Sequence, residues 1–320
     1  MRFLTAILPK KRDSLNKVLI DIGPESVAGA YVSYREGERP SVLSVHRIEI
    51  GSHKHEPIER AMLRTLHLLG ETLIREGAPH MARATGSGSA DAIMASVDAP
   101  WASVEMHSKQ FYPNEPIVFS EELIADAFSD MPLEPEEMLA DEDIIGAVLN
   151  GYVTREPYGK EASRATVVAL ASKVRREVAE DIAICLRNLF HIENISLVSS
   201  GSLRHQALRR IFTHEQNAAL LDLMSAEPSL MLIHDGVPVS LSAVTDDEIL
   251  EHELKTLRNG YALPGTLFVL ERDSENRLPA PLGLIIKTVS VRPSHLASYV
   301  QHVPTTPPDL SLLLMALHAS

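Results

Sequence analysis

Apolar and polar positions along this chain alternate between a two-residue and a 3.6-residue period. Val18–Gly23, Val27–Tyr34 and Val42–Ile50 are short apolar runs separated by the turn-rich pieces GPES and REGERP, and they predict strands. From about Pro57 to Ile74 the period changes. Ala61, Leu63, Leu66, Leu69 and Leu73 fall on one face, which predicts a helix with Pro57 in its first turn. The piece GAPHMARATGSGSAD at 77–91 is rich in small residues and predicts a surface loop. Its GSGS lacks the Gly-Lys-Ser/Thr ending of a phosphate loop. Ala92–Val97 predicts a buried strand.

After Pro100 and Trp101 the pattern predicts a unit of its own. Ser103–Gln110 reads as a strand, Glu121–Phe128 as a short helix capped by Ser120, and Asp141–Val153 and Arg164–Ala171 as two further strands. Val174–Phe190 is an amphipathic helix carrying Val178, Ile182, Leu186 and Leu189 on one face. Ile195–Ser199 predicts a strand and Ser202–Phe212 a helix. Asn217–Leu223, Leu230–His234 and Val237–Val244 predict an antiparallel run that turns at Asp235-Gly236. Asp246–Leu257 predicts a helix with Thr245 and Glu248 as a capping box. Gly265–Leu270 and Lys287–Val291 predict strands, and Leu310–His318 a last apolar helix.

Composition narrows the function. The chain has 320 residues and a net charge of −13, a balance that argues against nucleic acid as a partner. Its one cysteine, Cys185, excludes an intrachain disulfide and fits a reducing cytoplasm. No run reaches the roughly 18 apolar residues of a membrane span. Residues 1–12 read either as a loose tail or as a small amphipathic foot. In the second reading Phe3, Leu4, Ile7 and Leu8 enter the inner face of the cell membrane beside Lys10, Lys11 and Arg12.

The candidate chemistry lies in two hairpins. KVLIDIGPESVAGA (17–30) and LLDLMSAEPSLMLIHDG (220–236) each run strand, Asp, small residues, strand. Such a turn can cradle phosphate with backbone N–H groups while its Asp holds Mg²⁺ through water. On these two hairpins, on the PW at 100–101 and on VLNGYVTREPYGKEA (148–162), the chain resembles the FtsA/PilM family of bacterial actin-like proteins.

The resemblance implies an α/β, actin-like fold: two ribonuclease-H-like halves around a cleft, with an inserted strand-helix-strand-strand module. The implied division is 1–102 for the first half, 103–172 for the insert, 173–215 for the return to the first half, and 216–320 for a reduced second half. The implied role is a cytoplasmic, membrane-associated scaffold for cell division or type IV pilus assembly. Its partners would be other proteins, including further copies of itself. The cofactor-binding positions it implies are Asp21, Gly23, Ser26, Asp222, Ser225 and Ser229, with Asp21 and Asp222 as metal positions if ATP and Mg²⁺ bind.

The departures from that family point away from hydrolysis. Pro24 removes a backbone donor from the first turn, and Glu25 sets a negative charge where phosphate would sit. Met224 and Ser225 stand where glycines are expected, and LFVLERDSENRLP (267–279) has no Gly-Gly turn for adenine. The two aspartates are then relics that cap their turns, in a pseudo-ATPase with no cofactor. The alternative is a functional ATP-binding switch with slow hydrolysis. A sugar-kinase-like enzyme would also need the missing glycine turn. Elsewhere, His53 and His55 read as surface residues, Ser199, Ser200 and Ser202 as helix-capping residues, and the acidic run 121–143 as a solvated face or a receptor for a basic tail.

Overall fold

The computed structural model describes residues 14–51, 53–128, 132–154, 157–244, 265–271 and 287–320. The first half is built on β1 (Leu15–Ile22), β2 (Ser26–Tyr34), β3 (Ser41–Glu49), β4 (Ala92–Val97) and β11 (Ile195–Ser199). Their order across the sheet is β11-β4-β1-β2-β3. β1, β2 and β3 are antiparallel neighbours, and β1–β4 and β4–β11 are parallel.

The second half repeats this scheme with β12 (Ala218–Asp222), β13 (Ser229–His234), β14 (Val237–Ala243), β15 (Thr266–Leu270) and β16 (Lys287–Val291), in the order β14-β13-β12-β15-β16. Again the first three strands are antiparallel and the last pairings parallel. Two sheets of one topology, each opening on a hairpin, are the layout the sequence predicts. The helix expected at 246–257 and the stretch 272–286 lie outside the described residues, as do residues 1–13.

One face of the first sheet is covered by α1 (Ile58–Thr72), α2 (Ala78–Thr85) and α4 (Arg176–Phe190). Leu66, Leu69, Leu73, Met81, Ile182 and Leu186 form one buried cluster with Ile20, Val27 and Tyr31. The other face carries α5 (Ser200–Ile211) and α6 (Leu310–His318), whose Leu312–Leu317 pack with Leu19, Ala28, Ala30 and Val32. So the chain's last stretch returns to the first half. β17 (Gln301–His302) pairs parallel with β3, and the Lys17 ammonium donates to Ala319 O at 2.6 Å. The boundary 216–320 drawn on the sequence does not anticipate this return, because an apolar helix carries no mark of which sheet it will cover.

Residues 77–91 are not a loop throughout. α1 runs through a π-helical turn at Leu73–Gly77 into α2, which ends on Gly86 at φ 78°. Pro79 lies in the first turn of α2, where its missing N–H costs nothing. What read as loop composition was start and stop punctuation. Gly77 is there for space: a Cβ would come within 2.5 Å of the Tyr31 ring.

Between the halves, β5 (Ala102–Phe111), β7 (Glu137–Leu149), β8 (Tyr152–Thr154) and β10 (Ala165–Arg175) form a separate antiparallel sheet in the order β5-β10-β7-β8. β6 (Ile117–Val118) pairs with β9 (Glu161–Ala162), and α3 (Glu121–Phe128) packs Ile124 and Phe128 against Phe119, Leu149 and Val167. The single strand expected at 141–153 is a hairpin. Asn150 and Gly151 take positive φ (53° and 89°), the pairing that favours a tight two-residue turn. Nor is the end of the acidic run a solvated face. Asp141, Glu142 and Asp143 sit half-buried on β7. Burial first, then the Asp143 charge, push the Asp141 carboxyl from 3.8 to about 6 against a hydrogen bond from the Glu142 backbone.

Two predictions follow from this packing. Gly77→Val should lower the urea-unfolding free energy by about 1–3 kcal/mol, since the Tyr31 ring has nowhere to retreat. Between pH 4 and 6 the native state holds a proton on Asp141 that the unfolded chain has released, so this group's contribution to stability is lost as pH rises. Asp141→Asn should therefore match the wild type near pH 4 and exceed it at pH 7 by about 1–2 kcal/mol, after discounting for partial solvent access. Melting temperatures across that range would show an unchanged gap if the strand does not behave this way.

Candidate functional site

The crevice between the halves is built by the two hairpins. At the first, β1 delivers Asp21 just before the turn, and the Gly23 N–H closes it on Ser26 O at 3.0 Å. Asp21 is 2% exposed. One of its oxygens accepts from Ser96 Oγ on β4 at 3.0 Å and the other from Arg47 Nη2 on β3 at 3.1 Å. The same guanidinium donates to Ser26 Oγ at 2.7 Å and to Asp309 Oδ2 at 2.7 Å. Arg47 therefore ties the first hairpin to the start of α6. Burial works against its charge, but Asp309 and Asp21 more than offset this and raise its pKa above the ordinary arginine value.

The second hairpin carries a buried counterpart. Asp222, 1% exposed, accepts the Met224 N–H at 2.9 Å, which is the turn-capping role expected of it. Its other oxygen accepts from Arg204 Nε at 2.6 Å. Arg204 comes from α5 and is 1% exposed. Its two remaining nitrogens donate to Asp98 Oδ2 at 3.2 and 3.1 Å. Asp98 follows β4 and also accepts from Ser225 Oγ at 2.6 Å and from the Ala99 N–H. Burial pushes the Asp98 carboxyl upward against the pull of Arg204 and Ser225. Burial likewise opposes the Arg204 charge, and Asp222, Asp98 and Asp21 raise its pKa in spite of it. We read Arg204 and Asp98 as an ion pair, because charge-assisted bonds from both terminal nitrogens fill one whole edge of the guanidinium.

The structure places the six positions named from the sequence at the two hairpin turns; Ser26 lines the larger cleft between the halves, and Asp222, Ser225 and Ser229 line a separate recess. Asp21 and Ser26 are joined through Arg47, and Gly23 forms the turn between them. Asp222 and Ser225 are joined through Arg204 and Asp98. Ser229 opens β13 opposite Asp222 and, with Asp98 and Ser225, lines a recess of about 120 Å³. The residues that hold the site together went unremarked in the sequence: Arg47, Asp98, Arg204 and Asp309. A signal existed for one of them. Arg204 stands among Leu203, Ala207, Leu208 and Ile211 on the buried stripe of α5, and an arginine there needs buried partners.

In front of the hairpins lies a cleft of about 940 Å³. The first half contributes Glu25, Ser26, Arg47 and Glu49. The second half contributes Met224, Glu271, Val291 and Arg292, and the α6 end contributes Asp309 and Ser311. Mg²⁺ seeks carboxylate oxygens and keeps several waters. Here one oxygen of each hairpin aspartate already faces a guanidinium. Among the described residues no group of three or more His, Cys, Asp or Glu side chains is arranged to hold a metal. Of the stretch expected to lack an adenine turn, 272–279 lies outside the described residues. His53 and His55 are exposed, and Ser199 Oγ caps α5 by accepting the Ser202 N–H at 3.2 Å.

No protein-family model matches the chain, and no curated protein is similar to it in sequence. Solved structures match it in shape. A PilM-PilN type IV pilus biogenesis complex aligns with a TM-score of 0.56 at 14% identity, covering 97% of this chain and 97% of that one. A Bacteroides thetaiotaomicron protein with an actin-like ATPase fold and unknown function aligns over 98% of this chain and 100% of its own, at 7% identity and a TM-score of 0.46. The ethanolamine utilisation protein EutJ from Carboxydothermus hydrogenoformans covers 97% and 91%, at 11% identity and a TM-score of 0.40. The chain has an actin-like ATPase fold.

Removing the buried cation should expose how much the crevice depends on it. Arg204→Met leaves Asp98 and Asp222 buried without their partner and should cost about 3–5 kcal/mol in urea unfolding. Adding Asp98→Asn and Asp222→Asn to that variant should recover most of the loss. A single variant as stable as the wild type would mean that the three residues do not act as a unit.

Proposed function

We propose that this protein is an actin-like scaffold that works by binding other proteins, and that its own arginines do in the cleft what Mg-nucleotide does in an active ATPase. The observation that carries this reading is the fully buried Arg204, 2.6 Å from Asp222 and 3.1 Å from Asp98. It joins the two halves from inside. Mg²⁺ at Asp222 would have to displace that guanidinium and leave a cation in a dry interior, at a cost of several kcal/mol. Pro24 and Glu25 at the first turn weigh the same way, since they take away a donor and add a charge.

The likeness in fold to the PilM-PilN complex over nearly the whole chain supports an assembly of the type IV pilus kind over a cell-division role. On this reading the protein sits at the cytoplasmic face of the membrane and is held there by its partners. Among the described residues no helix is long and apolar enough to cross a membrane.

Calorimetric titration with Mg-ATP tests the central claim. The expected result is no saturable binding at concentrations up to the order of a millimolar, with or without Arg204. Micromolar affinity that disappears in Asp21→Ala would establish instead a working ATP switch and overturn the reading.

A further inference from the structure

We propose that the 940 Å³ cleft between the halves takes a cationic ligand, one with an ammonium or guanidinium head on an apolar stem. The proposal rests on the reading that Mg-nucleotide does not fill this space. The polar atoms of the cleft decide the sign of the ligand's charge. Glu271 closes the end of β15 on the cleft wall. One of its oxygens accepts from Ser290 Oγ at 3.0 Å, while the other is shut off from solvent and has no hydrogen-bond partner among the described residues. A shielded carboxylate oxygen accepts and cannot donate, so only a donor satisfies it.

A second orphan lines the same space. Ser311, in the first turn of α6, is 3% exposed, and its hydroxyl meets no partner among the described residues. Glu25 and Glu49 line the same cleft. Among the described residues the cations on the wall do not balance them. Arg47 is already engaged by Asp21, Ser26 and Asp309, which leaves Arg292 among those described. An anion entering here would meet Glu25, Glu49 and Glu271. A cation would meet donor-seeking oxygen, with Pro24, Met224, Val291 and Leu310 to cover its stem.

A free polyamine and a basic side chain on a partner protein share this chemistry, and two probes tell them apart. The full chain is titrated calorimetrically at low salt with spermidine and with acetyl-arginine-amide. Saturable binding of either is the expected result, spermidine pointing to the free amine and the arginine derivative to a partner's side chain. Glu271→Gln should weaken that binding by about tenfold. Glu25→Gln, in an exposed turn, should weaken it as well and serves if the first variant folds poorly. Glu180→Gln, on α4 and outside the cleft, should leave it unchanged. The proposal is overturned if neither probe binds, or if Glu180→Gln weakens binding as much as the cleft variants do. Mg-ATP is titrated in parallel: absence of both ATP and cation binding defeats this proposal alone, whereas tight Mg-ATP binding defeats the scaffold reading as well.

Discussion

A guanidinium sealed between two carboxylates governs this molecule. Arg204 reaches from α5 to Asp98 at the end of β4 and to Asp222 at the end of β12, so a strand from each half ends on the same cation. Taking such a group out of water costs several kcal/mol, and good geometry on every side is what makes it tolerable. The triad is therefore weak evidence for exceptional stability and better evidence for specificity. It links the two halves directly, since Asp98 belongs to the first and Asp222 to the second.

The site is symmetric in plan and asymmetric in detail. Each hairpin aspartate faces an arginine. Arg47 is partly open to solvent and also bonds Ser26 and Asp309, while Arg204 is closed off entirely. The first hairpin is thus stitched to the end of the chain and the second to the body of the first half. The inserted sheet adds a third set of contacts. Gly146 on β7 lies so close to Val237 that a Cβ would come within 2.9 Å of it, and Gly201 on α5 stands in the same relation to Val104.

Much of this was legible beforehand because the relevant signals are local. Strand-Asp-turn-strand can be read in a dozen residues, and so can Ser199 capping α5. Two local signals were present and underweighted. Asn150-Gly151 marked a hairpin within what looked like one strand, and Pro79 with Gly86 bracketed a helix within what looked like a loop. The arginines are a different case. Arg204 and Asp98 are 106 positions apart, and an arginine within an amphipathic helix ordinarily faces water. The apolar stripe around Arg204 marks it as inward-facing, but only the fold shows which carboxylates it meets. The return of α6 to the first sheet was hidden for the same reason: its nearly uniform apolar face would suit any core.

That return sets an order of events during synthesis. Leu312–Leu317 complete a core whose other members include Leu19, Ala28, Ala30 and Val32, so β1 and β2 keep one side uncovered until α6, far along the chain, has been made. Until α6 docks, those two strands carry an apolar face without its cover.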